Sequence, residues 1–493
     1  MGNMMNYNIS VYRYYKTIII MITMISSSLI MAGCALRSSY VFPEISYTSR
    51  NSMPAAASNV SGGTGFNTGT LKIALPMTFE CLRYLSLMYI GESSGLFKDV
   101  LPDMNGLTVS LDTLDTYDIG FDVELQAVAD TGMTNFQLMN SYLSDAVPDI
   151  MLIKNTDTDL LAMNNISSAK FDQTYIDEYF SSSNIYPSMI QNGIDGNSLN
   201  TLPYYASVKM LYANESVLVD TLGNSLLPDG TKLNYDAFKS ISKGITRSSE
   251  GIYGYMGLSQ LLAYMPATID STLDSFMWNG NKFDYSGDGF EKSVSIIRSL
   301  ISSDCVEDSL NTNQKESLYG NIDPRELNKI GFWIDDSNRL EKWTSINKLK
   351  IRRFPIQGLN QITLPLSIYS VAVNSKSELL DDALRFAAYI VFDKDALLFR
   401  SRYIEPNGFI PPVKDRIVWD NLVKTQLQGD ELYSIYNDMN YAKSVTNAQE
   451  DIVSEIYNEL YEKYFNDILY NKKSLTALYE EINEEANRIT SGE

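Results

Sequence analysis

Leu71-Lys72-Ile73-Ala74-Leu75-Pro76 is the first stretch of this chain that reads as regular structure, and the pattern it opens decides the fold. Four apolar residues around one lysine make a short strand, and Pro76 ends it. An amphipathic segment follows, with Leu82, Leu85, Met88 and Tyr89 on one helical face, stopping at Gly91. A second strand is expected at Phe121-Asp122-Val123-Glu124-Leu125-Gln126-Ala127-Val128. A helix carrying Phe136, Met139 and Leu143 comes next, then a strand at Asp149-Ile150-Met151-Leu152-Ile153 behind Pro148. Strand, helix, strand, helix, strand is the alternation of an α/β fold built on a mainly parallel sheet.

Further along, a strand pair is expected at Leu202-Pro203-Tyr204-Tyr205 and Val208-Lys209-Met210-Leu211-Tyr212. Helical spacing recurs at 235–242, 260–264 and 290–302, and Trp278 to Lys282 reads as a turn. One long helix is expected from Glu378 to Phe399, with Leu380, Leu384, Ala387 and Val391 on its stripe. Thr446-Asn447-Ala448-Gln449 has the form of a capping box ahead of Ile452, Ile456, Leu460 and Tyr464. A final helix carries Leu475, Leu478, Ile482 and Ile489, with Glu480, Glu481, Glu484 and Glu485 on its wet side.

The N-terminus has a different character. Arg13 and Lys16 are its only charges before Cys34, and Thr17 to Met31 is an uncharged, mostly apolar run. That run has the length of a signal-peptide core and is short for a membrane span. Leu29-Ile30-Met31-Ala32-Gly33-Cys34 resembles the lipobox of bacterial lipoproteins. The resemblance implies a signal peptide over 1–33, cleavage before Cys34, and a lipidated Cys34 that holds the mature chain at the outer face of the cell membrane. Two acyl chains suffice for stable anchoring at about 0.8 kcal/mol per buried CH₂. Residues 34–70, rich in Ser, Asn, Gly and Ala, then read as a flexible tether with a mean reach of about 30–35 Å.

The whole chain carries 60 acidic and 39 basic residues, a net charge of −21. Such an acidic protein is a poor partner for nucleic acid. Histidine is absent, which removes Ser-His-Asp and Cys-His catalysis and any His-ligated metal. No P-loop or dinucleotide fingerprint occurs, and no cofactor or metal is expected. Asp284-Tyr285-Ser286-Gly287-Asp288 begins like a calcium loop, but Ser295 stands where the bidentate Glu belongs, so a solvated turn is expected. Cys81 and Cys305 are compatible with one disulfide or with two separate buried thiols. The 33 tyrosines supply rings able to stack on sugar C–H faces or to fill a core.

Several segments, in order over about 71–415, resemble extracellular solute-binding proteins of ABC importers, the family of the maltose- and oligosaccharide-binding proteins. Lys72-Ile73-Ala74-Leu75 is similar to the family's opening strand, and Val147-Pro148-Asp149-Ile150 to its Pro-Asp-Ile strand. Leu202 through Asn214 matches its Leu-Pro-Tyr segment, and Gly331-Phe332-Trp333 its Gly-x-Trp segment. Ser370 to Lys376 and Asn407-Gly408-Phe409-Ile410-Pro411 add two more. The resemblance implies a two-lobed periplasmic-binding-protein-like fold of type II, with a ligand closed between hinged lobes. It implies lobe one over 71–190 plus 350–405 and lobe two over 195–345 plus 406–493. Carried over by position, it implies ligand contacts at Thr78, Glu80, Asn155, Asp157, Tyr204, Tyr205, Tyr264, Trp333 and Trp419. Ser207 stands where maltose-type members carry an acid, and 101–120 looks inserted, so the ligand is left open.

The expected function is a lipid-anchored, monomeric binding protein, not an enzyme. It would capture a small ligand, with a sugar or oligosaccharide favoured, and deliver it to an ABC permease. Two other readings fit the same residues: a surface lipoprotein acting on glycans through paired carboxylates, and a ligand sensor of the same fold.

Overall fold

The computed structural model describes residues 69–94, 122–126, 128, 142, 147–154, 161, 165–172, 174–175, 184–190, 194–195, 198–230, 232–279, 282–346, 349–356, 364–404, 408–425, 428–433, 435–436, 438–444, 450–470 and 479–491. All of these fall in one compact unit, Phe66–Glu493. Cys34, the tether, the 101–120 stretch, Asn155, Asp157, the 446–449 box, Leu475 and Leu478 lie outside them.

A single mixed sheet organises the fold. Its strands are β1 (Thr70–Ala74), β2 (Asp122–Leu125), β3 (Ile150–Lys154), β4 (Leu202–Asn214), β5 (Tyr253–Tyr255), β6 (Ile330–Asp336), β7 (Ile351–Pro355), β8 (Pro365–Val373) and the short β9 (Lys443–Ser444), which pairs with the start of β8. The order is β2-β1-β3-β8-β4-β6-β5, with β7 also paired to β4. The first three strands are parallel, as the alternation predicted. β8 then runs antiparallel to both β3 and β4, so the sheet is mixed rather than mainly parallel. Asp149 shows what the Pro-Asp-Ile sequence does locally: its carboxylate accepts the Lys72 N–H at 2.8 Å and pins β3 to β1.

β4 departs most from expectation. Leu202 to Asn214 is one continuous strand of 13 residues, not a pair. Its two halves have different partners. Leu202 to Val208 pairs with β8, whereas Lys209 to Asn214 pairs with β6 on one side and β7 on the other. The two halves also feed different cores. Leu202, Tyr204 and Tyr205 pack with β1, β3 and the helices Phe79–Ser94 (α1), Leu380–Phe392 (α2) and Lys394–Tyr403 (α3). Leu211 and Ala213 pack with β6, with Leu258–Ile269 (α4) and Asp288–Ile301 (α5), and with C-terminal residues from Val453 to Ala486. A third cluster under the middle of β4 holds Ala206, Val208, Met210 and Tyr212 with Trp333, Trp343 and Trp419.

Three chain segments meet where β4 changes partners. The Val208 N–H donates to Ser337 Oγ at 3.1 Å, and the Ser337 hydroxyl donates to the Gly408 carbonyl at 2.5 Å. Gly408 has φ +92°, and a Cβ there would lie 2.0 Å from the Ser337 carbonyl oxygen, so the junction requires glycine. Arg353, fully buried on β7, donates to the Ser337 carbonyl at 2.9 Å, the Gln428 carbonyl at 3.2 Å and the Glu431 carboxylate at 3.2 Å. A buried guanidinium is tolerable because each side of its fork meets an acceptor.

Other expectations resolve by local chemistry. The long helix breaks into α2 and α3 at Asp393, whose carboxylate accepts the Asp395 and Ala396 N–H groups at 2.9 Å and caps the second helix. Asp284 accepts the backbone and hydroxyl protons of Ser286, closing the turn with its own side chain. Cys81 and Cys305 are separate free thiols packed against different cores. Among the described residues, no helix is long and apolar enough to cross a membrane.

Candidate functional site

The pleat of β4 sorts its side chains onto two faces. Tyr205, Ser207 and Lys209 share one, and Ala206, Val208, Met210 and Tyr212 share the other. Strand register extends the first row across the sheet. Tyr369 stands opposite Tyr205 and also opposite Lys154 at the end of β3, and Ser367 stands opposite Ser207. Asp336, the last residue of β6, stands opposite Lys209. The result is a polar strip crossing β3, β8, β4 and β6 at the partner change.

At its centre Lys209 Nζ lies 2.8 Å from Asp336 Oδ2, and the side chains are 20% and 24% exposed. Ser207 Oγ donates to Asp336 Oδ1 at 3.5 Å. The Lys209 ammonium also sits 6.0 Å from the centre of the Tyr264 ring, which α4 supplies. Burial by itself lowers the Lys209 pKa; Tyr264 and the Asp336 carboxylate overcome it, and the pKa is raised above the usual lysine value. The ion pair is therefore formed throughout the physiological range.

Of the sequence-predicted residues, Tyr264 lies beside Lys209, and Tyr205 shares the β4 face of Ser207 and Lys209. Tyr205 is itself nearly buried, its ring centre 4.0 Å from that of Phe409 and 4.9 Å from that of Tyr369. Thr78 and Glu80 stand apart from the strip, after β1 at the carboxyl end of the parallel strands, the edge where open α/β sheets bind ligands. Thr78 caps α1, its hydroxyl accepting the Cys81 N–H at 3.3 Å. Tyr204, Trp333 and Trp419 are placed differently. Each is 0% exposed. Tyr204 sits where the β4–β8 register shifts, its ring centre 4.9 Å from that of Tyr205 and 3.6 Å from the buried Arg400 guanidinium. Trp333 lies opposite Tyr212, away from Lys209, stacked on Tyr212 and edge-on to Trp343. Trp419 packs in the same cluster, and its indole N–H donates to the Val413 carbonyl at 2.9 Å.

Ser207, Lys209, Asp336 and Ser367 were missed by sequence reasoning. Dividing β4 at Ala206-Ser207 hid the alternation Tyr205, Ser207, Lys209, a polar face inside an otherwise apolar strand. Two aspartates closing the apolar run Ile330 to Ile334 were the matching signal on β6.

No protein-family model and no curated protein sequence matches the chain. Solved structures do. An ABC substrate-binding protein from Listeria monocytogenes, in complex with cycloalternan, aligns with TM-score 0.59 at 10% identity, covering 86% of this chain and all of its own. The cyclic α-maltosyl-1,6-maltose binding protein from Arthrobacter globiformis aligns with TM-score 0.60 at 12% identity, covering 87% and 100%. The sugar-binding protein MalE from Xanthomonas citri aligns with TM-score 0.58 at 14% identity, covering 86% and 98%. These similarities establish the fold as the two-lobed α/β fold of such substrate-binding proteins, in line with the resemblance read from the sequence segments.

The Lys209–Asp336 pair has a signature in pH. A lysine pKa raised by folding contributes stability that is fully present below the unfolded value of about 10.4 and is lost as pH rises through the folded value. The stability difference between wild type and Asp336→Asn should therefore be constant from pH 7 to about pH 10 and shrink above it. Urea unfolding at successive pH values measures this, and a difference that grows with alkalinity would contradict the assignment.

Proposed function

We propose that this protein is an extracytoplasmic solute-binding protein that captures a sugar or oligosaccharide between two lobes and presents it to an ABC permease. The observation that carries this reading is the polar strip at the partner change of β4, among the described residues the one strand shared by both cores. In this reading the two lobes are built on those cores, with β4 as a crossing between them. β7 pairs with the Met210–Asn214 end of β4, which supports assigning β7 to the second lobe. Closure of the lobes brings α4 and the Asp336 turn toward the edge that carries Thr78 and Glu80. Tyrosine rings give stacking, while Ser, Lys and Asp side chains satisfy hydroxyls. At the end of β6, Asp336 pairs with Lys209 and Asp335 accepts the Trp343 indole N–H at 2.7 Å, an arrangement that suits binding.

Cys34 is the anchor in this reading. Lipidated, it keeps a hinged, monomeric body within reach of the permease at the outer membrane face. The sugar binding of structural neighbours supports the ligand class, and the lipobox-like segment supports the anchor.

A thermal-shift panel of mono- and oligosaccharides tests the ligand. A true ligand at 100 times its Kd should stabilise the protein by about 2.7 kcal/mol. No shift with any sugar, alongside a clear shift with a peptide or polyamine, would overturn the sugar assignment. For the anchor, Cys34→Ala should move the protein from the membrane fraction to a soluble one with unchanged ligand affinity. Membrane retention of that variant would rule out lipid anchoring through Cys34.

A further inference from the structure

We propose that the Lys209–Asp336 pair sets the ligand class of this site: it accepts neutral sugars with neighbouring hydroxyls and rejects acidic ones, with Asp336 as the residue that decides. The inference rests on the sugar-binding reading and goes further by naming the charge class and the residues that read it.

The two side chains come from directly opposed positions on neighbouring strands and meet at 2.8 Å. Both remain partly exposed, so a ligand can reach them without breaking the pair. The ammonium has three donors and gives one to Asp336; each Asp336 oxygen has a second lone pair beyond its contact with Lys209 or Ser207. A donor and an acceptor therefore stand side by side. Two adjacent hydroxyls of a pyranose, each able to donate and accept, satisfy both at once.

A carboxylated sugar meets a different surface. Its oxygens only accept, so it competes with Asp336 for the same ammonium and faces the Asp336 charge at short range. That is rejection by a repulsive element as well as selection by an attractive one. Asp335 does not relieve it: the pleat puts Asp335 on the other face, bound to Trp343. The Tyr264 ring, its centre 6.0 Å from the ammonium, offers a π face to the same cation.

The test is calorimetric titration of wild type, Asp336→Asn and the double variant Lys209→Gln/Asp336→Asn. The neutral probes are maltotetraose, cellotetraose and mannotetraose; the acidic probes are trigalacturonate and a hyaluronan tetrasaccharide. Wild type should bind a neutral probe and neither acidic one. Asp336→Asn should lose about 10–100-fold for the neutral probe and gain measurable affinity for an acidic one, because its Lys209 charge is no longer answered. The double variant keeps a donor and an acceptor without charge and decides the matter if the single variant is too unstable to titrate. It should bind the neutral probe more weakly than wild type and bind no acidic probe.

Unchanged neutral binding in these variants, or tighter binding of an acidic probe by wild type, overturns this inference and leaves the sugar-binding reading standing. If wild type binds no probe of either kind while a non-sugar solute stabilises it, both fall.

Discussion

The structure depends on β4 changing partners between Val208 and Lys209. A strand of 13 residues is long for a globular protein, and here the length is used: one half closes one core and the other half closes a second. Because successive side chains alternate faces, the change of partner also fixes which residues lie at the junction. Ala206, Val208 and Met210 go down into a third apolar cluster, and Ser207 and Lys209 go to the other side. The junction is held from below by the Ser337 hydroxyl between Val208 and Gly408, and by Arg353 across Ser337, Gln428 and Glu431. Unmaking a buried guanidinium network of this kind typically costs about 3–5 kcal/mol, so the junction is a firm base for whatever moves around it.

Function follows from what that base presents. A Lys–Asp pair in full solvent contributes little, about 0–1 kcal/mol, and a fully buried one can cost more than it returns. This pair lies between those limits, near 20% exposure, where its geometry is fixed but its remaining donors and acceptors are still available. That combination suits recognition better than stability. It also differs from a site with tryptophan platforms, because Trp333, Trp343 and Trp419 all pack in the cluster on the other side of the sheet from the strip.

Much of the fold was legible in the sequence because burial writes it there. The strands at 71–75 and 149–153 have apolar runs bounded by prolines, and the alternation with helices gave the parallel half of the sheet. The antiparallel β8 was not legible, since nothing local in Pro365 to Val373 states direction. The site was harder for a related reason. Tyr205, Ser207 and Lys209 become neighbours of Tyr369, Ser367 and Asp336 only through cross-strand register, which no local pattern encodes. Trp333 illustrates the same limit: an aromatic in a family-like position was read as a ligand platform, but strand parity turned it into the core beside Tyr212 and Trp343. Asp393 is a smaller case, where one capping carboxylate divides a helix whose apolar stripe reads as continuous.

Hydrogen exchange with and without a saturating neutral oligosaccharide tests the central claim most directly. The account predicts new protection in peptides covering 205–209, 257–264 and 335–337, with little change in 340–346 and 416–422, which carry Trp343 and Trp419 on the far side of the sheet. Protection concentrated in 340–346 and 416–422, with none at 205–209, would contradict it.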